Sequence, residues 1–159
     1  MEEKAEYITG GREDKDYLKV FDQAEELLES VSISPADERD MELAKKFDVK
    51  AIKTKRRANA EVLRRAFPDW LIFPTLAPTD IPMFVPVLVP DGKRDALRRY
   101  LIQNEIYCPI HWPVSEYHKL DERTAHIYQN ELSLVCDQRY TEEDMNRMVD
   151  MINVFWKEA

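Results

Sequence analysis

The chain has 159 residues, a formal net charge of -8 and 44% hydrophobic residues, a length that supports one real core with attached helices rather than two independent domains. The acidic balance works against a nucleic-acid partner, because no long basic tract offsets its repulsion of phosphates. No apolar run approaches the roughly 18 residues that cross a membrane, and MEEKAEY at the start lacks the apolar core of a signal segment, so a cytoplasmic location is expected.

In chain order, Gly10-Gly11 marks residues 1–14 as a turn rather than part of an element, and no phosphate loop accompanies it. From Asp16 to Val31, Tyr17, Phe21, Ala24, Leu28 and Val31 recur at helical spacing with Glu25, Glu26 and Glu29 outside the stripe. That stripe needs a partner. Ser34-Pro35-Ala36-Asp37 predicts a second helix start, with Ser34 as cap and the helix running to about Phe47. Residues 48–67 predict a long, strongly basic helix whose lysines and arginines read as a solvated face rather than an anion patch. A proline-rich passage follows, from Pro68 to Pro82, with one short strand at Trp70–Phe73.

The stretch from Ile81 to Pro113 reads as strand, helix, strand and organises the rest. Met83, Val85, Val87 and Val89 alternate with Phe84, Pro86 and Leu88, so both strand faces are apolar. Pro86 belongs at a sheet edge or a bulge, since it has no N–H for a ladder. Asp91-Gly92 turns the chain into a helix that ends near Asn104. In the strand beyond it, Ile106, Cys108 and Ile110 share one face; Tyr107, Pro109 and His111 share the other. Residues 113–130 show no clear period and read as a surface excursion. Glu131–Cys136 predicts a strand with Leu132, Leu134 and Cys136 on one face, and Thr141-Glu142-Glu143-Asp144 caps a final helix carrying Met145, Met148, Val149, Ile152, Phe155 and Trp156. The expected fold is α+β: a small sheet of three to four strands with helices mainly on one face, plus long N-terminal connecting helices.

Spacing alone yields no self-contained active site. His111, His118, His126 and Cys108 fit no metal-ligand interval, so no metal is expected. Cys108 and His111 fall on opposite faces of a regular strand, which argues against a nucleophile pair. Cys108 and Cys136 read as buried reduced thiols, with a disulfide between them left open.

Several segments carry a resemblance. They are the valine-rich strand ending in Pro90-Asp91, the helix DALRRYLIQNEI, then Tyr107-Cys108-Pro109-Ile110-His111-Trp112-Pro113, and later Leu132-Ser133-Leu134 and Tyr140-Thr141-Glu142-Glu143-Asp144-Met145. In this order they resemble the C-terminal small domain of pyridoxal-phosphate-dependent aminotransferases of fold type I, most nearly the DegT/StrS sugar aminotransferases. The basic segment Lys53–Phe67 is similar to that family's interdomain helix, and the likeness spans about the last two thirds of the chain. It implies a connecting region over 1–67, a small domain over 68–159, and closure of a substrate site that is not catalytic alone. His111 takes the substrate-contact position of the family motif, with Tyr107 and Tyr117 as further substrate-binding candidates. This chain alone supplies no catalytic residue and binds no cofactor; pyridoxal phosphate is implied for the complete enzyme. Gly10-Gly11 is similar to a glycine pair after the family's catalytic lysine, which makes Lys4 the positional counterpart. So near the start of the chain, a solvated lysine is the plainer reading. The expected partner is a large catalytic domain or another protein chain, including a second copy; the alternative is a free-standing interaction module that has lost the catalytic domain.

Overall fold

The structure is a computed structural model that describes residues 2–8, 10–111 and 114–158. Two compact units divide it, Met1–Phe47 and Asp48–Ala159.

The first unit is helical. A helix that the glycine pair did not suggest, α1 (Glu2–Ile8), precedes the turn. Gly10 adopts φ 78° and donates to the Tyr7 carbonyl at 3.1 Å, while Gly11 donates to Glu6 at 2.8 Å, so the glycines close α1 in a Schellman motif. The rings of Tyr7 and Tyr17 then meet at 5.6 Å, and Tyr17 meets Phe21 at 6.1 Å, tying α1 to α2 (Tyr17–Ser30). In α3 (Glu38–Lys45) the cap is Asp37, not Ser34: its carboxylate accepts from the Asp40 N–H at 2.9 Å, and Glu38 and Asp40 add favourable charge in the first turn. Neither α2 nor α3 contains a buried residue.

In the second unit, α4 (Val49–Ala66) begins at Asp48, whose side chain accepts from Ala51 N–H. This basic helix, which the sequence grouped with the N-terminal connecting region, packs here against α7 (Glu142–Glu158) and β1 (Phe84–Leu88). Its C-terminal end turns through a short 3-10 segment, Pro68–Trp70, where Phe67 and Trp70 stack at 4.8 Å and Trp70 meets Trp156 of α7 at 5.8 Å. Next come β1, a tight turn in which Asp91 and Gly92 both have positive φ, and α5 (Arg94–Gln103). Then α6 (Glu122–Asn130) leads straight into β2 (Glu131–Val135), with α7 last.

The core is laid down by the alternation. Val85 and Val87 of β1 with Val89 just beyond it, and Leu132 and Leu134 of β2 with Cys136 just beyond it, are buried together with Ala60 and Leu63 of α4, Leu97 and Leu101 of α5, and Met145, Met148 and Ile152 of α7. Three helical stripes thus meet one sheet face, the arrangement that removes most apolar area from water per residue.

The mixed α and β character holds, but the sheet has two antiparallel strands among the described residues, not three or four. The pairing runs from Phe84↔Val135 to Leu88↔Glu131, and the flanking bonds Val89 N–H to Asn130 O and Cys136 N–H to Met83 O set its parity. In that register Pro86, opposite Ser133, sits at a non-hydrogen-bonded pair, so its missing N–H faces away from β2 and costs no ladder bond. The two expected outer strands survive as single contacts. Leu71 makes one bridge to Val87, and the Ile72 N–H reaches the Pro86 carbonyl at 3.4 Å. On the other edge the Ser133 N–H reaches Pro109 O at 3.2 Å, and Ile106 and Cys108 are buried as expected, yet residues 106–111 form no ladder. Pro109 supplies no N–H for a ladder, and the segment has no assigned strand. The surface excursion is corrected too: Asp121 caps α6 by accepting from the Thr124 N–H at 2.7 Å.

Candidate functional site

The side of the sheet away from the core carries Phe84, Pro86 and Leu88 from β1 with Glu131, Ser133 and Val135 from β2. A strand turns alternate side chains to opposite faces, so the apolar Leu132 and Leu134 oblige Glu131 and Ser133 to share this one. Here the Ser133 hydroxyl donates to Glu131 Oε1 at 2.6 Å, and His111 Nδ1 lies 3.0 Å from Ser133 Oγ. The His111 ring also meets Phe84 edge-on at 4.6 Å. Ser133 is buried, whereas His111 is exposed.

Beside this chain of hydrogen bonds lies a cavity of about 400 Å³, with Phe84, Pro86 and Ser133 as its floor and Phe73, Leu76, Pro82 and Met83 as its apolar wall. The wall is the proline-rich passage, held by two arginines two turns apart on one face of α4. Arg57 donates to the carbonyls of Ala77, Pro78 and Asp80 at 3.2, 3.0 and 2.7 Å, and Arg64 donates to those of Phe73 and Pro74 at 2.9 Å each. Part of the basic face of α4 is therefore engaged by backbone carbonyls while still facing solvent. A guanidinium presents several donors in a fixed fork, which suits it to gather carbonyls from a loop that prolines keep out of regular structure.

The other sequence candidates fall elsewhere. Tyr107, 55% exposed, lies along cavities shared with Val135 and Tyr140 rather than beside Ser133. Tyr117 is 85% exposed, and its backbone N–H rests on Ser115 Oγ at 3.1 Å. Trp112 and Pro113 of the resembling motif lie outside the described residues. His118 accepts from the Ser115 N–H, and His126 pairs with Asn130, so each of the three histidines has its own neighbour. No grouping of three or more His, Cys, Asp or Glu side chains converges among the described residues. Lys4, in the first unit, places its ammonium 5.1 Å from the Phe21 ring centroid.

These residues do not fit pyridoxal phosphate. The cavity beside Ser133 has no lysine in its lining, and its one arginine, Arg64, is committed to loop carbonyls. No step through that coenzyme follows from this chain.

Both cysteines are free and buried, and burial pushes the Cys108 thiol up to about 11 and the Cys136 thiol up to about 12. Because the thiolate is the reactive form, native protein at neutral pH should label with a thiol reagent at least about a hundredfold more slowly than unfolded chain. Rapid stoichiometric labelling of the native chain would contradict this burial.

Asp137 is a buried carboxylate whose donors come from Arg139, its backbone N–H and its guanidinium. Arg139 bonds both oxygens, at 2.9 and 2.7 Å, and holds the carboxyl below its ordinary pKa. A depressed carboxyl pKa stabilises the fold above the unfolded value of about 3.9 and ceases to do so as the pH falls through the folded value. Arg139→Gln should therefore cost about 1 kcal/mol at neutral pH, a figure kept low because Arg139 is largely exposed, and the difference from the parent should close in acid. Denaturant unfolding of both proteins across pH checks this; a difference that is constant with pH counts against it.

Ser133 and Glu131 were missed by sequence reading, since a serine within an apolar strand carries no signal alone. The usable signal was their spacing: two polar residues, two apart, on the strand face opposite Leu132 and Leu134. No family model matches this chain, and no curated protein does.

Proposed function

We propose that the second unit is one half of a two-part substrate site, of the small-domain type that the sequence resembles in fold type I aminotransferases, and that it is not catalytic alone. The observation carrying this reading is the outer face of the sheet: His111 is hydrogen-bonded to Ser133 and meets the Phe84 ring, and both of those residues line an apolar cavity that has no lysine in its lining. An apolar concavity with a few polar groups is the usual form of a ligand site, and one that is open to solvent can be completed by a second surface. His111 contacts the substrate; the wall of residues 73–83 shields it. The other half, carrying pyridoxal phosphate and its lysine, comes from a large domain or from another chain.

The test is reconstitution. Purified chain mixed with pyridoxal phosphate should show no stable imine absorbance, whereas co-expression with the coding sequence immediately upstream should yield a complex that does. His111→Ala should then lower amino transfer in that complex by tenfold or more, on the order of one lost substrate hydrogen bond to a charged or polar group. Imine formation and turnover by the chain alone, or an unaffected H111A complex, refutes the reading.

A second reading, a free-standing interaction module, is favoured by the first unit. Leu27, Leu28, Val31 and Ile33 are 62% or more exposed along one stretch, a run of apolar side chains of the kind that marks a contact surface. Sedimentation at rising protein concentration separates the two: self-association abolished by Leu28→Glu and Val31→Glu, with no response to an upstream-encoded partner, favours the module.

A further inference from the structure

We propose that Ser133 and Glu131 are positioning residues that hold the neutral His111 ring as its Nδ1–H tautomer, leaving Nε2 as a hydrogen-bond acceptor for a hydroxyl or amine hydrogen of the ligand. This deepens the reading of His111 as the ligand-contacting residue and rests on it.

The protons of the three side chains decide the tautomer. A serine hydroxyl has one proton and two lone pairs, and an ionised carboxylate can only accept. At 2.6 Å the Ser133 proton is committed to Glu131 Oε1. Toward His111 the serine therefore offers a lone pair, and the 3.0 Å contact is a hydrogen bond only if Nδ1 bears the hydrogen. A neutral imidazole carries one N–H, so Nε2 is then the bare nitrogen. The order of groups matters. In a hydrolytic triad the serine gives its proton to the histidine; here the carboxylate takes it, so Ser133 is not an activated nucleophile but a link between Glu131 and the ring. The Phe84 ring, its centroid 4.6 Å from that of His111 and its plane tilted by 69°, limits the imidazole's rotation about this bond.

The experiment is a long-range proton–nitrogen correlation spectrum of the full chain labelled with 15N-histidine. It is recorded well above the ordinary imidazole pKa of about 6.5, and His111 is assigned by the signals lost in H111Q. The wild-type chain should show His111 mainly as Nδ1–H, with His118 and His126 as internal references. Ser133→Ala should shift the tautomer ratio by about fivefold or more toward Nε2–H. Glu131→Ala, which frees the serine proton to donate to the ring, should shift it the same way, whereas Ser133→Thr should keep the wild-type ratio. Nε2–H in the wild-type chain, or a ratio unmoved by both S133A and E131A, overturns the proposal. Because the tautomer is read on the chain alone, a failed reconstitution leaves this result standing, and a failed tautomer assignment leaves the two-part site to its own test.

Discussion

Leu63→Ala should lower the stability of the second unit by about 2–5 kcal/mol, the range for emptying a fully buried leucine site. Leu63 is wholly inaccessible on the face of α4 that meets β1 and α7, so the lost methyls leave a cavity that three elements would have to close at once. Leu28→Ala, at a position 71% exposed on α2, should change stability by no more than about 0.5 kcal/mol. Urea unfolding followed by tryptophan fluorescence reports on the second unit, because all three tryptophans lie beyond residue 48. Equal effects at the two leucines would mean that the core is not where α4, α7 and the sheet meet.

The second large effect is expected at Asn59. This residue is fully buried, and its amide nitrogen donates to the carbonyls of Asp137 and Tyr140, at 3.1 and 2.9 Å, fastening the turn before α7 onto α4. Its Oδ1 meets no donor among the described residues, so the nitrogen carries the whole attachment. Asn59→Ala should cost about 2–4 kcal/mol, since one buried and one part-buried carbonyl lose their partner. Asn59→Asp keeps the shape but replaces the donor with an acceptor facing two other acceptors; it should cost at least as much. If N59D unfolds at the wild-type denaturant midpoint, the bonds to Asp137 and Tyr140 do not hold this turn.

Asn59 also illustrates where sequence reading stops. On a helical projection it falls within the apolar stripe of the basic helix, so its burial was legible; its two partners lie about 80 residues away and were not. Arg57 and Arg64 show the same limit. Their charge and their helix were plain, but their destination, the carbonyls of the proline-rich passage, depends on a loop whose path no local period encodes. The site divides likewise. His111 could be singled out because it alternates with buried residues and matches a resembling motif, while Tyr107, chosen for sharing its strand face, and Tyr117, chosen for lying in the loop that follows, stand apart from Ser133.

By itself the sequence determined the elements whose cause is local: α2, α4, α5 and α7 from apolar spacing and end caps, and the buried faces of β1 and β2 from alternation. A period of 3.6 or 2 needs only neighbours along the chain to be read. The tertiary structure alone decided how many strands the sheet would keep, which carbonyls the arginines would reach, and that Glu131, Ser133 and His111 would stand in one line. Each of those outcomes turns on hydrogen-bond partners distant in sequence, and a donor or acceptor gives no sign in its own segment of where its partner will be.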